Sequence, residues 1–178
     1  MIRLFAAVEI PEPVRAGLAA LAGGVPGARW SDIENLHLTL RFIGEVSEHD
    51  AESIDDALTG VRAQPFTLAL KGVGHFGGRD PRALWAGVES DEALVRLQRK
   101  IESALQRAGL APETRKFSPH VTLARLRAAP GAKVMAFLAR HALYASAAFP
   151  VDGFVLFSSE LKHTGSVYRA ERSYPLFR

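Results

Sequence analysis

An alternation of apolar and polar residues occurs twice in this 178-residue chain, as Leu36-His37-Leu38-Thr39-Leu40-Arg41 and as Pro119-His120-Val121-Thr122-Leu123-Ala124-Arg125. The copies share a His-apolar-Thr-apolar core and lie 83 residues apart. Period two is the signature of a strand with one buried face, so each copy presents an imidazole and a hydroxyl on one side and packs its apolar residues on the other. Each can be assigned one strand and two nearby helices. The repeat therefore predicts one domain, residues 1–178, made of two pseudo-symmetric lobes.

Hydrophobic periodicity supplies the remaining elements. Ile2 to Ile10 reads as a buried strand, and Pro11-Glu12-Pro13 opens a helix to about Leu21, stopped by Gly23-Gly24. Ser47 caps a helix whose apolar positions are Ala51, Ile54, Ala57, Leu58 and Val61. Phe66 to Leu70 and Ala83 to Val88 read as strands joined by a Gly-rich loop, Gly72 to Pro81. Asp91 to Ala108 is strongly helical, with Gly109 as its stop. Val134 to Tyr144 reads as a helix, and Phe149 to Phe157 and Val167 to Tyr174 as closing strands. About four helices and seven strands in mixed order argue for α+β.

Composition removes whole classes of chemistry. With no cysteine there is no disulfide framework, thiolate nucleophile or Cys-ligated metal, so catalysis falls to His, carboxylates or hydroxyls. No stretch approaches the length of a membrane span, and Met1 to Ile10 is a short apolar run interrupted by Glu9; a cytoplasmic, soluble monomer is expected. The net charge of +3 conceals an uneven distribution: residues 1–89 carry 8 basic and 12 acidic side chains, residues 90–178 carry 14 and 7. Seventeen of the 22 basic residues are Arg, which suits a planar anion such as phosphate and equally suits a GC-rich genome that writes Arg for Lys.

Two imidazoles on facing strands suit acid-base catalysis near neutral pH, one taking a proton from a nucleophile and the other delivering one to a leaving oxygen. The two Thr hydroxyls can donate to non-bridging oxygens of a phosphate held between them. In-line displacement at a 2',3'-cyclic phosphate needs those four groups and no metal. A zinc site is disfavoured, because neither His has a further ligand at i+2 or i+4 and Thr is a poor one.

The text around the motifs resembles the two-histidine phosphoesterase superfamily, and within it the RNA 2',3'-cyclic phosphodiesterases, also called LigT-like 2'-5' RNA ligases. The resemblance is carried by Arg3-Leu4-Phe5-Ala6-Ala7, by Trp30 and Leu36 through Gly44, by Arg82-Ala83-Leu84-Trp85, by Arg115 through Arg125, and by Ser158-Ser159-Glu160-Leu161 with Gly165 to Tyr168. It implies a bilobal α+β fold, two antiparallel sheets facing a central cleft with helices outside. It implies hydrolysis of RNA 2',3'-cyclic phosphate ends, or of cyclic nucleotides, to 2'-phosphomonoesters without a cofactor, with 2'-5' ligation as the reverse. By the same analogy His37 protonates O3' and His120 activates water, while Thr39 and Thr122 hold the phosphate.

Four further residues are candidates for substrate contact. Arg41 shares a face with His37 and Thr39 on a regular strand. Arg125 falls on the opposite parity from His120, yet the family pattern keeps an Arg there, and an RNA contact is expected. Phe5 and Tyr168 are candidates for stacking on a base, with core packing the competing role of Phe5. His75 lies in a glycine-rich loop without the Lys-Ser/Thr of a phosphate loop, and His49, His141 and His163 lack a paired partner. Two other readings stay open: a non-catalytic module for RNA ends or nucleotides, and a cyclic phosphodiesterase acting on a small nucleotide such as ADP-ribose cyclic phosphate.

Overall fold

The computed structural model describes residues 1–177. Ten strands and four α-helices follow in the order β1 (Ile2–Glu9), α1 (Glu12–Ala19), β2 (Ala28–Trp30), β3 (His37–Val46), α2 (Glu48–Thr59), β4 (Phe66–Leu68), β5 (Leu70–Phe76), β6 (Ala83–Val88), α3 (Glu92–Arg107), β7 (His120–Leu126), α4 (Gly131–Arg140), β8 (Phe149–Val151), β9 (Gly153–Lys162) and β10 (Gly165–Pro175). The class is α+β and the strand pairing antiparallel, as expected.

The main sheet runs β10-β9-β1-β3-β7-β6-β5, with β2 also paired to β7. Its halves, β10-β9-β1-β3 and β7-β6-β5, meet through a single residue pair, Leu38 with Val121. The two antiparallel sheets are thus joined edge to edge at the centres of the two motifs. Each His-x-Thr lies where the halves meet because both central apolar residues, Leu38 and Val121, are wholly buried there. The apolar face packs on helices: Leu94, Leu97, Ile101 and Leu105 of α3 are buried, and each such side chain contributes about 1.5–3 kcal/mol. Gln98 Nε2 of α3 donates to the Leu40 carbonyl of β3.

The second helix starts on its expected cap, Asp50 N donating to Ser47 Oγ at 3.1 Å, and Asp91, read as the first helical residue, instead caps the third, its Oδ1 accepting from Leu94 N at 2.9 Å. Elsewhere boundaries shift. The first helix ends at Ala19, and the fourth occupies Gly131–Arg140, starting after Pro130 instead of at Val134. Phe66–Leu68 leaves the main sheet to pair with β8, and Asp152 separates β8 from β9. The glycine-rich segment is a strand through Phe76, not a loop from Gly72. Gly74 has a packing reason: the Trp85 indole, directly opposite on β6, lies across its backbone where any Cβ would collide. No helix among the described residues is long and apolar enough to cross a membrane.

Candidate active site

Strand register decides which side chains reach the cleft. On β1, Phe5, Ala7 and Glu9 share one face, and their partners on β3 are Phe42, Thr39 and His37. Arg41 pairs instead with Ala6, on the opposite face. The switch is a bulge: Ala6 and Ala7 pair with Arg41 and Thr39, leaving Leu40 as the extra residue and reversing the alternation beyond it. The same device recurs on β7, where Trp85 pairs with Thr122 and Leu84 with Ala124, skipping Leu123. Ala83 and Trp85 lie two apart on β6, so their partners Arg125 and Thr122 share a face.

The bulges correct one expectation and resolve another. Arg41 does not face the cleft: it is 8% exposed, ion-pairs with Glu102 and donates to the carbonyls of Phe42 and Ala111. Arg125, off-parity on a regular strand, is brought onto the face of His120 and Thr122 and is exposed. Phe42, overlooked in the sequence, takes the cleft-facing place and is 53% exposed. A signal existed: Arg41 is four residues beyond its His and Arg125 five, so both cannot occupy equivalent positions.

The imidazoles are held alike. His37 Nδ1 lies 2.6 Å from the carbonyl of Asn35, and His120 Nδ1 lies 2.7 Å from that of Ser118, each two residues upstream. A carbonyl can only accept, so Nδ1 carries the proton in both rings and Nε2 is left for exchange. Asn35 is itself anchored, its Nδ2 donating to the Ser166 carbonyl at 2.9 Å. His37 Nε2 lies 3.0 Å from Thr39 Oγ1, whose hydroxyl donates to the neutral ring. Ser31 Oγ donates to the Thr122 carbonyl, tying β2 to the second motif.

Aromatic rings form the walls. Phe5 lies 4.8 Å from the His37 ring, 5.3 Å from Phe157 and 5.1 Å from Tyr168, centroid to centroid. At 3% exposed, Phe5 is a packing wedge beneath His37 and offers no face to a base. Tyr168 is partly exposed and meets His37 edge-on at 5.3 Å. Across the cleft Phe76 stands edge-on to His120 at 4.8 Å, with Trp85 at 6.4 Å. His75 turns to the Gly78 carbonyl.

Burial in this aromatic nest lowers the His37 pKa below the ordinary imidazole value; the Asn35 carbonyl raises it and the charge of His120 lowers it further. Enlarging Gly74 tests the second wall. Gly74→Leu is expected to push Trp85 off β5, costing about 1–3 kcal/mol and lowering kcat/KM through the displaced His120 wall. A red-shifted Trp emission alongside the activity loss checks it; unchanged emission and turnover refute it.

The chain is similar in sequence and fold to known proteins. The family model of the 2'-5' RNA ligase superfamily matches residues 11–163. A protein of Aeropyrum pernix named RNA 2',3'-cyclic phosphodiesterase is 44% identical over 108 residues, which are 60% of this chain and 61% of that one. One of the same name from Thermotoga maritima is 33% identical, covering 94% of this chain and 92% of the other. The crystal structure of E. coli LigT complexed with 3'-AMP superposes with a TM-score of 0.81 at 27% identity, covering 99% of each chain.

Proposed function

This chain belongs to the 2'-5' RNA ligase superfamily, and from that premise we propose that it is an RNA 2',3'-cyclic phosphodiesterase, one domain whose two lobes each bring a His and a Thr to the phosphate. The observation that carries the proposal is the matched pair of imidazoles, each with Nδ1 tied to a carbonyl and Nε2 left for proton exchange. Water attacks phosphorus opposite O3'; one Nε2 takes the water proton as the new P–O bond forms. The other Nε2 gives its proton to O3' as the P–O3' bond breaks, leaving a 2'-phosphomonoester and a 3'-hydroxyl. The Thr39 and Thr122 hydroxyls donate to the non-bridging oxygens. With an RNA 5'-hydroxyl in place of water, the same steps make a 2'-5' linkage.

His37 is the acid and His120 the base in this scheme. Burial opposes a protonated His37 in the free enzyme, and a bound phosphate anion restores the proton. Activity is lost as pH rises through the pKa of the acid. The alkaline limb of kcat/KM, which reports the free enzyme, is therefore expected at lower pH than that of kcat, which reports the complex. Superimposed limbs would count against the assignment. A 3'-thio leaving group needs no proton, so a 2',3'-cyclic substrate with bridging 3'-sulfur should restore turnover to His37→Ala but not to His120→Ala; the reverse pattern exchanges the roles.

The function itself is tested by incubating the protein, in EDTA and across pH 5 to 9, with 2',3'-cyclic AMP, an oligoribonucleotide ending in a cyclic phosphate, and ADP-ribose 1'',2''-cyclic phosphate. A 2'-phosphate product from the first two, undiminished by chelation, is expected. Oligonucleotide binding without turnover identifies a binding module, turnover of the third alone a small-nucleotide enzyme, and loss in EDTA a metal-dependent one; each rejects the proposal.

A further inference from the structure

Beyond the motifs, Arg29 of β2 pairs directly with Arg125 of β7. Directly paired residues project from the same side of a sheet with Cβ atoms about 4.5–5.5 Å apart, and like charges so placed are destabilising. Both side chains are exposed, and neither enters an ion pair among the described residues. On its other flank Arg125 faces Ala83, whose methyl leaves the guanidinium uncovered. Arg29 reaches the other half of the sheet: a Cβ at Gly165, the first residue of β10, would stand 3.1 Å from its Nη2. Two uncompensated guanidiniums side by side, on the face that carries His120 and Thr122, offer paired donors to an anion of phosphate size.

We propose that Arg29, with Arg125, binds the phosphodiester one nucleotide to the 5' side of the scissile cyclic phosphate. Arg29 is then a specificity residue that makes the cleft prefer an oligoribonucleotide end to a cyclic mononucleotide. Spacing supports this occupant: with Leu123 bulged out, Arg125 stands about 7–10 Å along β7 from Thr122, one nucleotide step. The planar guanidiniums match phosphate oxygens with paired donors. The inference rests on the phosphodiesterase reading for its scissile group.

The test compares kcat/KM for the dinucleotide ApA bearing a 2',3'-cyclic phosphate with that for 2',3'-cyclic AMP, which has no second phosphate. In Arg29→Gln the dinucleotide-to-mononucleotide ratio is expected to fall roughly tenfold or more, through KM, with partial recovery in Arg29→Lys. The salt dependence of the dinucleotide KM should flatten by about one charge. A ratio that does not move overturns the proposal, whether both substrates lose equally or neither loses. A drop confined to ADP-ribose 1'',2''-cyclic phosphate overturns it too. If wild-type protein turns over neither cyclic substrate, the phosphodiesterase reading fails while the subsite is still decided by calorimetric binding of ApA 2'-phosphate against adenosine 2'-phosphate. Equal affinity ratios in wild type and Arg29→Gln would then reject the subsite.

Discussion

His37→Ala and His120→Ala are each expected to lower kcat on 2',3'-cyclic AMP by about 10²- to 10⁴-fold, the range of a single positioned acid or base. Nδ1 of both rings is committed to a backbone carbonyl, so no other nitrogen at either position can replace Nε2. The double variant should lose little beyond the worse single one, because protonating O3' and deprotonating water belong to one displacement and either loss disables it. Circular dichroism and thermal melting should show folded proteins, since both rings lie at the cleft and not in the helix-covered core. Wild-type turnover in both single variants would refute the site.

Arg41→Ala should leave kcat nearly intact and sharply destabilise the fold, the reverse of what a phosphate-contacting arginine would do. Its guanidinium is buried against Glu102 and two carbonyls, so truncation takes the cation from a part-buried carboxylate and the donors from both carbonyls. Breaking such a pair costs about 3–5 kcal/mol, a fall in Tm of roughly 6–20 °C for a chain of this size. Burial pushes the Glu102 carboxyl up, but Arg41, the Glu113 amide and Gln106 together hold it below the ordinary range. A depressed carboxyl stabilises above its unfolded pKa and loses that contribution as pH falls through the folded value. The gap between wild type and Arg41→Ala should accordingly be widest near neutral pH and narrow in acid. Replacing both partners by methionine should recover most of the loss. Lost kcat at unchanged Tm would return Arg41 to the cleft.

Legibility in the sequence tracked the range of the interactions involved. Ser47 was readable as a cap because a cap bonds to an amide three residues on. The α3 stripe was readable because its burial repeats along one helix. The pairing of Phe66–Leu68 was not readable because its partner, Phe149–Val151, lies far along the chain. β2, three residues long, has no periodicity to detect; only its pairing with β7 makes it a strand. Gly74 looked like loop chemistry because the sequence does not reveal that an indole occupies the missing Cβ.

The two His-x-Thr pairs, their strands, the absence of thiol chemistry and the α+β class were determined by the sequence alone, since each follows from composition or from alternation within a few residues. Only the tertiary structure decided what stands beside them. A bulge is a relation between two strands: Leu40 and Leu123 look regular in their own strands and become the extra residue only against β1 and β6. Those one-residue slips sent Arg41 into the core and turned Phe42 and Arg125 towards the cleft, and the register of β2 on β7 set Arg29 beside Arg125. Side-chain parity in a sheet is inherited from the ladder, and the ladder exists only once distant segments have paired.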